Sequence, residues 1–153
     1  PILEVAILFA GIFVCIIPVM TSLEAGKDGS LAWLLAAVTR TDGGPQPVAY
    51  FWMTGLLSAV LDNAPTYLVF FELAGGKASE LMTTHAGTLA AISMGAVYMG
   101  ALTYVGNAPN LMVYAIAVER GIKMPSFFAY LAWAAAILLP VLALVTFVFV
   151  MTP

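Results

Sequence analysis

Long apolar runs alternate with short polar turns along this chain. The first run predicts a membrane span within residues 2–23, centred on Val5–Met20. Pro18 lies near its end, where a break is tolerated. Glu24 to Pro47 is more polar, carrying Lys27, Asp28, Arg40 and Asp42 with two glycine-containing turns. Within it, residues 30–40 predict a short helix, with Ser30 suited to the N-cap and Arg40 to the C-terminal end. Eleven residues reach about 16 Å, roughly half the hydrocarbon thickness. This helix is expected in the interface, where Trp33 is at home, or docked against other helices.

Residues 48–74 form an apolar run interrupted at Asp62-Asn63-Ala64-Pro65. The pattern fits one broken span or a re-entrant hairpin, whose arms Val48–Leu61 and Thr66–Ala74 meet at mid-membrane and return to the same face. Gly75 to His85 reads as a polar loop. Residues 86–118 are then too long for one span: 33 residues make about 50 Å of helix against a core of about 30 Å. The Gly106–Asn110 interruption divides them into two half-helices. Ala91, Gly95, Ala96 and Gly100, at four-residue spacing, permit close approach to a neighbouring helix. After the turn Glu119–Lys123, a last span occupies 125–151, where Pro140 predicts a kink.

Composition sharpens this picture. The residues are 63% hydrophobic and 8% charged, with mean hydropathy +1.04, against roughly half apolar and a quarter charged in a soluble domain. The expectation is one all-α, multi-pass domain of the cell (inner) membrane. The chain begins at Pro1 and enters an apolar run almost at once, which suggests a piece of a longer protein with the missing part N-terminal. The net charge of −3 comes from so few groups that it gives no reason to expect a nucleic-acid partner. The single Cys15, inside an apolar run, gives neither a disulfide framework nor a metal cluster. Arg120 and Lys123 place their turn in the cytoplasm by the positive-inside rule, so the loops beside a hairpin would lie outside.

The chemistry sits in the two interruptions. Aligned at Asn63 and Asn107, 44 residues apart, both read Asn-Ala-Pro, followed by Val69 or Val113 and by Phe70 or Tyr114. Pro65 cannot donate to the Leu61 carbonyl, nor Pro109 to that of Val105. Such freed groups need partners in hydrocarbon. Asparagine adds an acceptor and two donors at the same depth. Each break also exposes a helix N-terminus, which attracts anions. Two facing breaks therefore offer carbonyls to a hard cation and amides to a carboxylate, as in transporters with discontinuous helices. The bland alternative is two proline kinks capped by asparagine.

Of the carboxylates, Asp62 alone lies deep in an apolar segment, whereas Glu4, Glu24, Glu72, Glu80 and Glu119 lie near ends or in loops. Proton and metal ion would compete for its oxygens, unless it is solvated or a cap. Thr66 and Asn110 add polar groups beside the breaks. Thr54, Ser58 and Thr103 precede the breaks and either line a cavity or bond back to their own helix. An enzyme is disfavoured: the chain has no HExxH motif and no aspartyl-protease carboxylate pair, and its one histidine, His85, has no nucleophile nearby. A membrane scaffold leaves the paired breaks unexplained.

A scaffold span, an interfacial helix, an Asn-tipped hairpin, a broken helix with a second Asn motif and a final span together resemble the C-terminal repeat of the ion transporter superfamily. That group holds divalent-anion/sodium symporters, citrate–cation transporters, arsenite pumps and one class of sodium–proton antiporters. The resemblance covers essentially the whole chain as one of two inverted repeats. It implies a helical bundle with a re-entrant hairpin and a discontinuous transmembrane helix, elevator-type alternating access, a homodimer, and the N-terminal repeat of the same chain as partner. The hairpin tip then maps to Asp62, Asn63, Ala64, Pro65 and Thr66, and the unwound helix to Gly106, Asn107, Ala108, Pro109 and Asn110. In the symporters these positions read Ser-Asn-Thr and bind sodium and the substrate carboxylate, whereas here both read Asn-Ala-Pro. An acid at the tip looks more like the antiporter and citrate–cation branches. The expected activity is sodium–proton antiport, with Asp62 titrating and Asn63 and Asn107 as sodium ligands. The alternative is cation-coupled transport of citrate or a related carboxylate. No cofactor beyond the coupling sodium ion or proton is expected.

Overall fold

Small residues decide how closely the helices meet. The computed structural model describes residues 2–25 and 28–150. Among them, eight α-helices follow one another: α1 (Ile2–Glu24), α2 (Ala32–Val38), α3 (Pro47–Ser58), α4 (Asn63–Leu73), α5 (Ala78–Thr83), α6 (Ala86–Tyr98), α7 (Ala108–Glu119) and α8 (Phe127–Val145). A tighter 3-10 turn, Met99–Leu102, extends α6, and a wider π-type turn, Thr146–Val150, extends α8. Among the described residues there is no β-strand, only an isolated bridge between Thr39 and Pro45. Lys27 and the expected end of the last span at Met151 lie outside the described residues, as do the side chains of Glu4 and Glu24.

The core lies between α3 and α6. Phe51, Ala91, Ile92 and Met99 are fully buried there. A Cβ on Gly95 would strike the Phe51 carbonyl, and one on Gly55 would strike the Met99 side chain. The small-residue stripe of α6 thus permits contact at backbone distance. α3 and α4 fold back on each other as a hairpin. Tyr50, in the first turn of α3, meets Phe70 near the end of α4 edge-to-face at 6.2 Å between ring centres. The hairpin base and the start of α6 share one end of the bundle, because Tyr50, Leu73, Ala74 and His85 line one cavity of about 340 Å³. Its tip therefore reaches toward the break after α6.

Several boundaries differ from the sequence expectations. The second arm begins at Asn63 rather than Thr66. The short helix expected at 30–40 spans Ala32–Val38; Leu31 occupies its N-cap without a side-chain bond. Ser30 instead shares a 2.6 Å hydrogen bond with Ser22 across the turn. Arg40 lies beyond that helix, 3.5 Å from Asp42. The helix both docks and faces outward: Leu34 and Val38 are buried, while Trp33 is 63% exposed. Ala78–Thr83 is helical rather than loop, since Leu81, 1% exposed, anchors it in the core. α8 continues through Pro140. Residues 127–150 form one helical run long and apolar enough to cross a membrane.

Candidate functional site

Both prolines begin helices. Asp62, in extended conformation, occupies the N-cap position of α4, so Pro65 is the third residue of its first turn. Asn107 is the N-cap of α7, so Pro109 is the second. First-turn amides have no partner within a helix, so proline sacrifices nothing there. The alternative of two proline kinks in through-going helices does not hold, since each break precedes a new helix. Between α3 and α4, the Ala59 and Leu61 amides fold back onto the Gly55 and Leu57 carbonyls, each at 2.9 Å. The two carbonyls without a proline donor, Leu61 and Val105, receive no hydrogen bond among the described residues. Neither do the first-turn amides of Asn63, Ala64 and Ala108 donate one.

The two breaks meet. Gly106 is wedged against the hairpin tip and the end of α6: a Cβ there would fall 2.5 Å from the Gly100 oxygen, 2.9 Å from that of Ser58 and 3.0 Å from that of Ala59. Thr103 ties the segment together. Its hydroxyl donates to the Ala59 carbonyl at 2.5 Å and accepts from the Val105 amide at 3.2 Å and the Gly106 amide at 2.9 Å. Ser58 Oγ donates to the Ala96 carbonyl at 2.5 Å. The Asn63 amide, oriented by the acceptors around it, points its nitrogen at Ala96 O and Ser58 Oγ, both at 2.8 Å, and at Gly106 O at 3.3 Å. Opposite, Asn107 Oδ1 accepts from the Asn110 amide at 2.9 Å, and Asn110 Nδ2 donates to the Thr103 carbonyl at 3.3 Å. Amide atoms of Asn63 and Asn107 lie 2.5 and 3.3 Å from where a Cβ of Gly100 would be. Only glycine at 100 lets the two asparagines converge.

Four of the predicted site residues thus gather in one place: Asn63, Gly106, Asn107 and Asn110. The others lie around it. Asp62, Pro65 and Thr66 line a cavity of about 330 Å³ between the hairpin and α1, shared with Cys15. The Thr66 hydroxyl is buried there with no partner among the described residues. Ala64 lines an open groove between α4 and α6. Ala108 and Pro109 are exposed at the start of α7. Asp62 is exposed, and its side chain makes no capping bond. No group of three or more His, Cys, Asp or Glu side chains able to hold a metal occurs among the described residues.

Residues 1–150 match the model of the CitMHS_2 family, described as "Putative citrate transport". The chain belongs to that family. CitMHS_2 is a family of transporters, not of enzymes, and its description names citrate transport rather than sodium–proton antiport. No curated protein and no solved structure matches the chain.

For a CitMHS_2 chain, the two breaks leave two kinds of backbone group unused. The amides of Asn63, Ala64 and Ala108 point from helix starts that favour negative charge. The carbonyls of Leu61 and Val105 suit a hard cation. Ser58 and Thr103 matter more than the sequence suggested. Neither bonds back to its own helix; each bridges the hairpin and the broken helix. The available signal was positional: a hydroxyl residue four or five positions before each asparagine.

Proposed function

We propose that this chain carries citrate or a related carboxylate across the cell membrane, coupled to a cation, through the junction of the two Asn-Ala-Pro breaks. One observation carries the reading: Asn63 and Asn107 converge over Gly100 at the starts of two helices whose first-turn amides are unused. The amides of Asn63, Ala64 and Ala108 would hold carboxylate oxygens, with the asparagine side chains fixing orientation. The coupling cation would take the Leu61 and Val105 carbonyls, with Asp62 supplying charge. The hairpin would enter the membrane and return to the same face, its base sharing that face with His85, while the Arg120–Lys123 turn lies in the cytoplasm. An N-terminal repeat of the same chain would complete the site, and two copies would pair as a dimer.

Sodium–proton antiport remains the competing mechanism, because Asp62 stands at the hairpin tip without an ion partner among the described residues. The decisive assay uses full-length protein in sealed liposomes. Interior pH and labelled citrate are followed while sodium, lithium, potassium and citrate are varied, for wild type and Asp62→Asn. Under the proposal, uptake requires citrate. The variant then needs at least about tenfold more cation for half-maximal rate, since a charge has left the cation site. Sodium-driven pH change without citrate, lost in Asp62→Asn, would establish antiport instead.

A further inference from the structure

The segment between the two half-helices is held from behind by aromatic residues outside the Asn-Ala-Pro motifs. Tyr104, 6% exposed, lies in the break itself. Its ring stacks on Tyr130 in the first turn of α8, at 4.0 Å between centres and 25° between planes. On the other side it meets Tyr114 of α7 at 4.5 Å. Both hydroxyls end on backbone carbonyls. Tyr104 donates to Pro125 O at 3.2 Å, just before α8, and Tyr130 donates to Ala101 O at 3.1 Å, in the 3-10 turn that closes α6.

The Ala101 carbonyl matters most. In an uninterrupted helix it would accept the amide of Val105, but that amide is turned to Thr103 Oγ1. Tyr130 therefore replaces a helix bond that the break removes, and it does so at the residue from which the chain leaves toward Thr103, Gly106 and Asn107. α8 makes no bond to Asn63 or Asn107 among those observed at the site. Its influence on them passes through the backbone of residues 101–107.

We propose that Tyr130, braced by Tyr104, is a positioning residue: it sets the path of residues 101–107 and so the placement of Gly106 and Asn107 against the hairpin tip. The inference rests on the transport reading above, so the test has one arm that does not depend on it. In the full-length protein, Tyr130→Phe keeps the ring stack and removes the bond to Ala101, while Tyr114→Phe is the control because neither residue 101 nor Pro125 depends on its hydroxyl. Amide hydrogen exchange is measured alongside citrate uptake.

Tyr130→Phe is expected to speed exchange of the Val105 and Gly106 amides while residues 88–95 of α6 keep wild-type protection. It should also raise the citrate concentration for half-maximal uptake about three- to tenfold, the weight of one neutral hydrogen bond, with the maximal rate within about twofold. Unchanged exchange at 105 and 106 overturns the proposal, and so does loss of protection spread evenly over the bundle, which marks a merely structural residue. Selective loosening with unaltered half-saturation overturns it as well. If wild-type protein moves no citrate, the transport reading fails on its own, and the exchange pattern alone decides the brace.

Discussion

The two Asn-Ala-Pro breaks share a tripeptide and use it in opposite ways. Asn107 caps its own helix, accepting from the Asn110 amide. Asn63 lies one position further into its helix, with Asp62 at the cap, and turns its amide outward to Ala96, Ser58 and Gly106. One asparagine completes local structure; the other joins two elements. The residues after them diverge in the same way. Val69 and Phe70 are buried in the hairpin, whereas Val113 is 64% exposed on α7. A repeated motif therefore fixes where a helix begins and leaves its tertiary use to a shift of one residue.

That contrast can be broken at its tightest point. Gly106→Ala should have the largest effect, since its methyl would meet three backbone oxygens that cannot swing away. A loss of about 3 kcal/mol, read as a lowered melting midpoint of purified full-length protein, together with lost uptake, is expected; near-wild-type stability would mean that the breaks do not meet this closely. Next come the asparagines. Asn63→Ala should cost about 2 kcal/mol, because it strips several bonds from buried acceptors. Asn107→Ala should cost only about 1 kcal/mol, the weight of an N-cap, and be largely rescued by Asn107→Asp. Equal costs in the same melting assay would erase the distinction between the motifs. If the pair served folding alone, replacing both would leave the cation dependence of the remaining uptake unaltered.

The prolines should matter least. Pro65→Ala and Pro109→Ala are each expected to change stability by about 0.5 kcal/mol, because a first-turn residue has no helix bond to restore. A gain of more than about 2 kcal/mol in either variant would show that proline was interrupting a through-going helix after all.

Much of this fold was legible because its causes are local. Asparagine two positions before proline in an apolar run marked a helix start at both breaks, whereas Pro18 and Pro140 lie inside helices that continue. The small residues at 91, 95, 96 and 100 announced a close helix contact. The start of α4 falls at Asn63 rather than Thr66, because proline is tolerated in a helix's first turn and need not mark a residue outside it. α5 went unseen because one buried residue, Leu81, holds it. The positions of Ser58 and Thr103 before the asparagines were visible, but not the partners of their bonds. A hydroxyl near a helix end is equally able to bond backward, and only the approach of the hairpin decides between the two.

The junction also has a seam of an unusual kind. Among the described residues, no backbone-to-backbone hydrogen bond crosses from the hairpin tip to the broken helix. Ser58, Asn63 and Thr103 stitch it with side chains alone. Parting the two surfaces would unravel no helix, and each piece would leave with its own ladder intact. The polar part of the toll is a few side-chain bonds, each of about 1 kcal/mol, on top of the packing of Gly55 on Met99 that holds the hairpin to α6. Any separation of the tip from the broken helix would thus exchange side-chain bonds and packing without melting either helix.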